Sequence, residues 1–144
     1  MQKSFLDLLK QPLQGKVVLV RVDFNVPISD GKVVDDTRIR ASLPTIQQLI
    51  SKQARVVLIS HFQRPKGQVV ESLRLDPIRD RLQELLGATV TKLDECIGER
   101  VESEISSMND SEVLLLENIR FYKEEESNDD LFSKTIASYG HYYV

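Results

Sequence analysis

The sequence has no tryptophan, one cysteine and two histidines in 144 residues. A solitary Cys96 excludes an intrachain disulfide, and together with His61 and His141 it gives no metal-ligand spacing of the zinc type. No apolar run approaches the roughly 18 to 20 residues that cross a bilayer, so no membrane partner is expected. The amino terminus interrupts its apolar residues with Asp7 and Lys10, which suits neither a signal peptide nor a typical transit peptide. A net charge of only −3 argues against non-specific nucleic-acid binding, and any basic site must be local. There is no G-x-G-x-x-G, no G-x-x-x-x-G-K-[ST] and no H-E-x-x-H. A cytoplasmic address is expected, with a plastid one left open for a form whose transit peptide has been removed.

At 41% apolar and 28% charged, the chain is long enough for one domain with a real core and too short for two. Its apolar pattern alternates between two kinds of segment. Lys16 to Val22 is a β-branched run of the kind found in a strand covered on both faces, and Arg55 to Ser60 is a second. Between them Leu43, Ile46 and Ile50 repeat at helical spacing after Ser42, a candidate N-cap, with Pro44 in the first turn. The next helix has Asp76 as cap, Pro77 at its first position, Ile78, Leu82, Leu85 and Leu86 on one face and Gly87 as its stop. Ala88 to Leu93 reads as a third strand. Ile97, Val101, Ile105 and Met108 form a helical stripe, and Glu112 to Asn118 is a fourth strand. A last helix from near Asn128 carries Leu131, Phe132, Thr135 and Ile136, Gly140 stops it, and HYYV begins a fifth strand.

Strands joined through single helices make a parallel sheet, so their carboxyl ends share one edge. Asp23 and Asn25 follow the first strand, His61 and Arg64 the second, and Glu117, Asn118 and Arg120 the fourth. Arg38 belongs to the first loop, just ahead of its helix. Guanidinium groups bind phosphate and carboxylate through paired hydrogen bonds, while Asp and Asn can hold hydroxyls, so this edge suits a small phosphorylated acid. Taken singly, each residue also has a structural use: a surface Arg, a capped His, an Asp that shapes a turn. Phe62 and Phe121 read as packing residues, and Glu124 to Glu126 as a solvated acidic loop.

RVDFNVP at Arg21 to Pro27, DDTRIR at Asp35 to Arg40, SHFQRPKG at Ser60 to Gly67 and LLLENIRFYKEEE at Leu114 to Glu126 together resemble the substrate-domain signatures of phosphoglycerate kinases. The resemblance implies a Rossmann-like α/β domain, a parallel sheet flanked by helices, that forms the incomplete N-terminal part of a two-domain kinase. Residues 1–144 would be its truncated 3-phosphoglycerate-binding domain, and the nucleotide-binding C-terminal domain would be absent. The implied reaction is reversible phosphoryl transfer between ATP and 3-phosphoglycerate, in glycolysis and carbon fixation. Its Mg-ATP or ADP belongs to the complete enzyme, and none is expected to bind this chain. By motif, Asp23, Phe24, Asn25, Arg38, His61, Phe62, Gln63, Arg64 and Arg120 would contact substrate, with Arg38 the catalytic arginine. The attacking carboxylate is already ionised at neutral pH, so no general base is required.

Two positions depart from the pattern. Gln63 stands where the family has Gly, and a left-handed backbone there would cost a glutamine on the order of 1 to 2 kcal/mol. Tyr122 stands where the family often has His. Family members are usually monomeric, but HYYV could present an unpaired edge to another chain. The alternatives are a non-catalytic phosphoglycerate- or anion-binding module and a structural interaction protein. Holding both substrates away from water needs two closing domains, so the 144-residue chain by itself is expected not to turn over. A coupled assay checks this: an ATP- and 3-phosphoglycerate-dependent signal from pure chain, abolished by Arg38→Ala, would overturn it.

Overall fold

The computed structural model describes residues 4–127 and 129–144. The elements are α1 (Phe5–Leu8), β1 (Val17–Arg21), β2 (Ile28–Ser29), β3 (Lys32–Val33), α2 (Thr37–Ser51), β4 (Arg55–Ile59), α3 (Asp76–Leu86), β5 (Val90–Lys92), α4 (Glu99–Ser107), β6 (Val113–Leu115), α5 (Lys123–Glu126), α6 (Asp130–Ala137) and β7 (Tyr142–Tyr143). Five strands pair in the order β5-β6-β4-β1-β7, every pair parallel. The α/β class expected from the sequence is therefore the one observed. No helix among the described residues is long and apolar enough to cross a membrane.

Strand periodicity divides the core into two layers. Val18, Val20, Val56, Leu58, Val113 and Leu115 face Ile39, Ile46 and Leu49 of α2 and Ile78 and Leu82 of α3. The alternate residues Val17, Leu19, Val57, Ile59 and Leu114 face Val101 and Ile105 of α4 and Phe132 and Ile136 of α6. Both faces are covered, which is why β1 and β4 read as unbroken apolar runs instead of alternating ones.

Helix starts depart from the sequence reading. Ser42 does not cap α2, which begins at Thr37 and carries Pro44 in its interior. Asp35 anchors that start by accepting from the Thr37 amide (3.0 Å) and hydroxyl (2.7 Å). The earlier start buries Ile39 completely, and this apolar burial offsets the ladder hydrogen bond that Pro44 cannot make. Asp76 is not the cap of α3 but its first residue, with Leu75 at the cap position. The Asp76 carboxylate turns to Lys92 instead, and the Leu75 amide donates to Glu117 Oε1 at 3.0 Å. Gly87 ends the helix at φ 68° as the sequence indicated. The start expected near Asn128 lies outside the described residues, and Asp129 caps α6 through the Phe132 amide. Helix α1 and the β2–β3 hairpin were not anticipated, although Asp30-Gly31, at φ 52° and 72°, is a strong two-residue turn signal.

Among the described residues, three polar ones are fully buried: Ser60, Glu117 and Asn118. Each ties strand ends together. Ser60 accepts from the Phe24 amide (3.1 Å) and donates to the Val22 carbonyl (2.8 Å), linking the loops after β1 and β4. Asn118 accepts from the Phe62 amide (3.1 Å) and donates to the carbonyls of Phe62 (2.8 Å) and Leu73 (3.0 Å), linking the loops after β4 and β6. Asn118→Ala would strand several buried backbone groups, so we expect a loss of about 2 to 4 kcal/mol in urea unfolding. A loss under about 0.5 kcal/mol would show that water replaces the amide freely.

Candidate functional site

The loops after β1, β4 and β6 enclose an open cleft of about 1090 Å³, lined by Asn25, His61, Phe62, Gln63, Arg64, Arg74 and Arg120 among others. Parallel pairing places these three carboxyl ends side by side, and the buried ties set the loops above them. Asn25 completes the join, its Oδ1 accepting from the Gln63 amide at 3.0 Å.

Of the residues expected from the sequence, Asn25, His61, Gln63, Arg64 and Arg120 meet in this cleft. Asp23 and Arg38 do not line it. They border an adjoining recess of about 300 Å³, so the single surface expected from the sequence is two concavities sharing the 23–25 segment as a wall. Arg38 sits in the first turn of α2 and not in the loop before it, and its Nη1 donates to the Asn25 carbonyl at 2.8 Å and lies 3.4 Å from Asp23 Oδ1. Asp23 Oδ1 also accepts from the Asn25 amide at 3.1 Å. Phe24 is fully buried in the core, so its side chain has no surface to offer a ligand. Phe62 is nearly as buried and reaches the cleft only at its wall. Glu117 and Asn118, which the sequence placed on the same edge, are consumed by buried hydrogen bonds and stay beneath it.

The charged lining of the cleft is mixed, with Arg64, Arg74 and Arg120 set against Asp30, Glu71 and Asp76. Burial, then the Arg120 and Arg21 cations, hold His61 below the ordinary imidazole value, against the opposing pull of Asp23 and Glu125. A neutral His61 beside two guanidinium groups means that an arriving anion favours its protonated form. Arg21 was not anticipated as part of this field, although its position as the last residue of β1 could have shown it. Its Nη2 is 2.8 Å from Glu125 Oε1, and Arg120 Nε is 4.0 Å from the same atom. The acidic run is therefore not simply a solvated loop. Lys123–Glu126 is a helical turn, and the partly buried Glu125 braces two cations of the site.

Metal chemistry finds little footing here. Asp76, Asp94 and Glu117 offer carboxylate oxygens within 4.8 Å of one another, but Lys92 Nζ donates to all three. Burial opposes the charge on Lys92, yet these hydrogen bonds outweigh it and raise the ammonium pKa. An internal cation already satisfies the cluster. Cys96 is fully buried, and burial pushes its thiol well above the ordinary value, so it is no nucleophile at neutral pH. Tyr122 is structural: its hydroxyl accepts from the Cys96 amide at 3.0 Å and its ring lies 5.2 Å from that of Phe132.

Comparison with known proteins gives a consistent result. The sequence model of the phosphoglycerate kinase family matches residues 8–144. A phosphoglycerate kinase of Dictyoglomus turgidum is 58% identical over 143 residues, covering 99% of this chain and 36% of the relative. One from Acaryochloris marina is 55% identical over 144 residues, with the same coverage. Among solved structures, phosphoglycerate kinase from Pyrococcus horikoshii superposes with a TM-score of 0.83 at 30% identity, covering 99% of this chain and 36% of that one. The enzyme from Coxiella burnetii gives 0.80 at 31% identity, covering 93% and 33%. The chain thus spans about a third of the length of the relatives it matches.

Gln63 has φ 58°, the left-handed conformation for which its departure from glycine is costly. Gln63→Gly is expected to raise stability by about 1 kcal/mol in urea unfolding, or to tighten anion binding by opening the cleft. No change in either quantity would remove the idea that glutamine is a burden there.

Proposed function

Because the chain belongs to the phosphoglycerate kinase family, we propose that residues 1–144 form the half of a phosphoryl-transfer site that holds 3-phosphoglycerate. The observation that carries this reading is the meeting of His61, Arg64 and Arg120 from two separate loops on one open cleft, with Asn25 of a third loop at its wall. Arg64 and Arg120 would take the substrate phosphate, whose charge suits paired guanidinium donors. His61 would gain a proton as the anion arrives, adding a charge-assisted hydrogen bond. Asp23, Asn25 and Arg38 would hold the hydroxyl and carboxylate end from the shared wall, with Arg38 neutralising charge on the transferring group as phosphoryl transfer requires.

The nucleotide would be held by a domain outside these residues. The residues here do not fit Mg-ATP, since no glycine-rich phosphate loop is present and the only close carboxylate trio among the described residues is already bound to Lys92. Their contribution is therefore binding, orientation and charge neutralisation. No observation favours a structural interaction protein or a purely regulatory anion-binding module over this reading.

Calorimetric titration of the folded chain with 3-phosphoglycerate tests it. Saturable binding is expected, weakened roughly ten- to hundredfold by Arg64→Ala or Arg38→Ala, with inorganic phosphate binding more weakly than the three-carbon acid. Absence of binding by folded chain, or binding indifferent to both substitutions, would refute the assignment.

A further inference from the structure

The loop 61–67 carries four residues of the cleft lining, His61, Phe62, Gln63 and Arg64, and is fastened on both sides. At its start Asn118 holds the Phe62 peptide and Asn25 holds the Gln63 amide. At its end Gly67 donates its amide to the Arg120 carbonyl at 3.1 Å. Gly67 has φ 73°, and a Cβ there would stand 2.6 Å from Lys123 Cβ, 2.8 Å from Lys123 Cα and 3.0 Å from its nitrogen. Two of those atoms are backbone, so no side-chain rotation relieves the clash. Lys123 follows Arg120 directly through the single 3-10 turn Ile119–Phe121, whose amides are held by Ser60 and Asn118. With that turn pinned, relieving the collision parts the 61–67 loop from the 120–123 segment and so separates Arg64 and His61 from Arg120.

We infer that Gly67 is a positioning residue, whose missing side chain seats the 61–67 loop against the 120–123 segment and so fixes the spacing of Arg64 and Arg120 across the anion cleft. The seam is a property of the chain, while the identity of the anion rests on the function proposed above. Gly87 supplies a comparison, since it has a similar φ of 68° but nothing within 4 Å of its would-be Cβ. Alanine there brings the same backbone strain and no collision.

The experiment compares the parent chain, Gly67→Ala and Gly87→Ala by calorimetry with 3-phosphoglycerate and by NMR titration of the His61 ring. His61 faces Arg120, Arg21, Asp23 and Glu125, so separating Arg120 from it relaxes its titration midpoint upward towards the ordinary value. Gly67→Ala is expected to weaken binding on the order of tenfold and to raise the His61 midpoint, as displaced contacts do when a site is preorganised. Gly87→Ala is expected to lower stability while leaving both readouts unchanged. A folded Gly67→Ala chain with parental affinity and an unmoved His61 midpoint overturns the inference. If the parent binds no 3-phosphoglycerate yet His61 shifts in Gly67→Ala, the positioning role stands and the substrate assignment falls. Should Gly67→Ala fail to fold, amide exchange in the parent decides: protection of the Gly67 amide sustains the seam, and exchange at the rate of a free loop amide overturns it.

Discussion

Buried polar groups at the carboxyl end of the sheet must find partners, and almost everything distinctive about this molecule follows from how they do. Ser60, Glu117 and Asn118 are fully enclosed, and each unpaired donor or acceptor there would cost on the order of 1 to 3 kcal/mol. Their partners lie on other segments: Val22 and Phe24 for Ser60, Phe62 and Leu73 for Asn118, Leu75 and Lys92 for Glu117. Satisfying these groups therefore fixes the loops relative to one another. A sheet edge, normally the mobile part of an α/β domain, becomes a rigid floor.

A rigid floor is what a cluster of neighbouring cations needs. Guanidinium groups repel one another, and without a bound anion they would splay apart if their loops were free. Here Glu125 lies beside Arg21 and Arg120, Asp23 lies beside Arg38, and the backbone of Asn25 takes the remaining load. These carboxylates restrain the cations without filling the cleft. The surface ion pairs contribute little to stability by themselves, and their importance lies in orientation. Lys92 plays the inverse part beneath the floor, a cation held among three carboxylates that keeps Glu117 available to the Leu75 and Asn118 amides.

The legible features were those carried by long periodic segments or by several residues of one type acting together. The strand runs at Lys16–Val22 and Arg55–Ser60 and the stripe in α3 lie where the apolar pattern put them. Helix starts were less legible. Ser42 has the chemistry of an N-cap, but burial of Ile39 extends α2 back to Thr37, and Asp76 is drawn from capping to Lys92. Both are cases where a tertiary partner outcompetes a local preference of about 1 kcal/mol. The hairpin at Asp30-Gly31 was legible in its turn residues and was passed over. Glu125 was misjudged because charge alone does not reveal that Arg21, more than a hundred residues away, lies opposite.

By itself the sequence determined the α/β class, the parallel sheet, the family and which loops carry basic and amide side chains, because these depend on periodicity and on residue types at short spacing. Only the tertiary structure decided which of those side chains share a cavity. It moved Arg38 and Asp23 into a neighbouring recess, withdrew Phe24, Glu117 and Asn118 into the interior, and brought Arg21 and Glu125 to the site. The reason is physical: burial and pairing are settled by contacts between segments far apart in the chain, and a local pattern holds no record of what will stand opposite it once the sheet has formed.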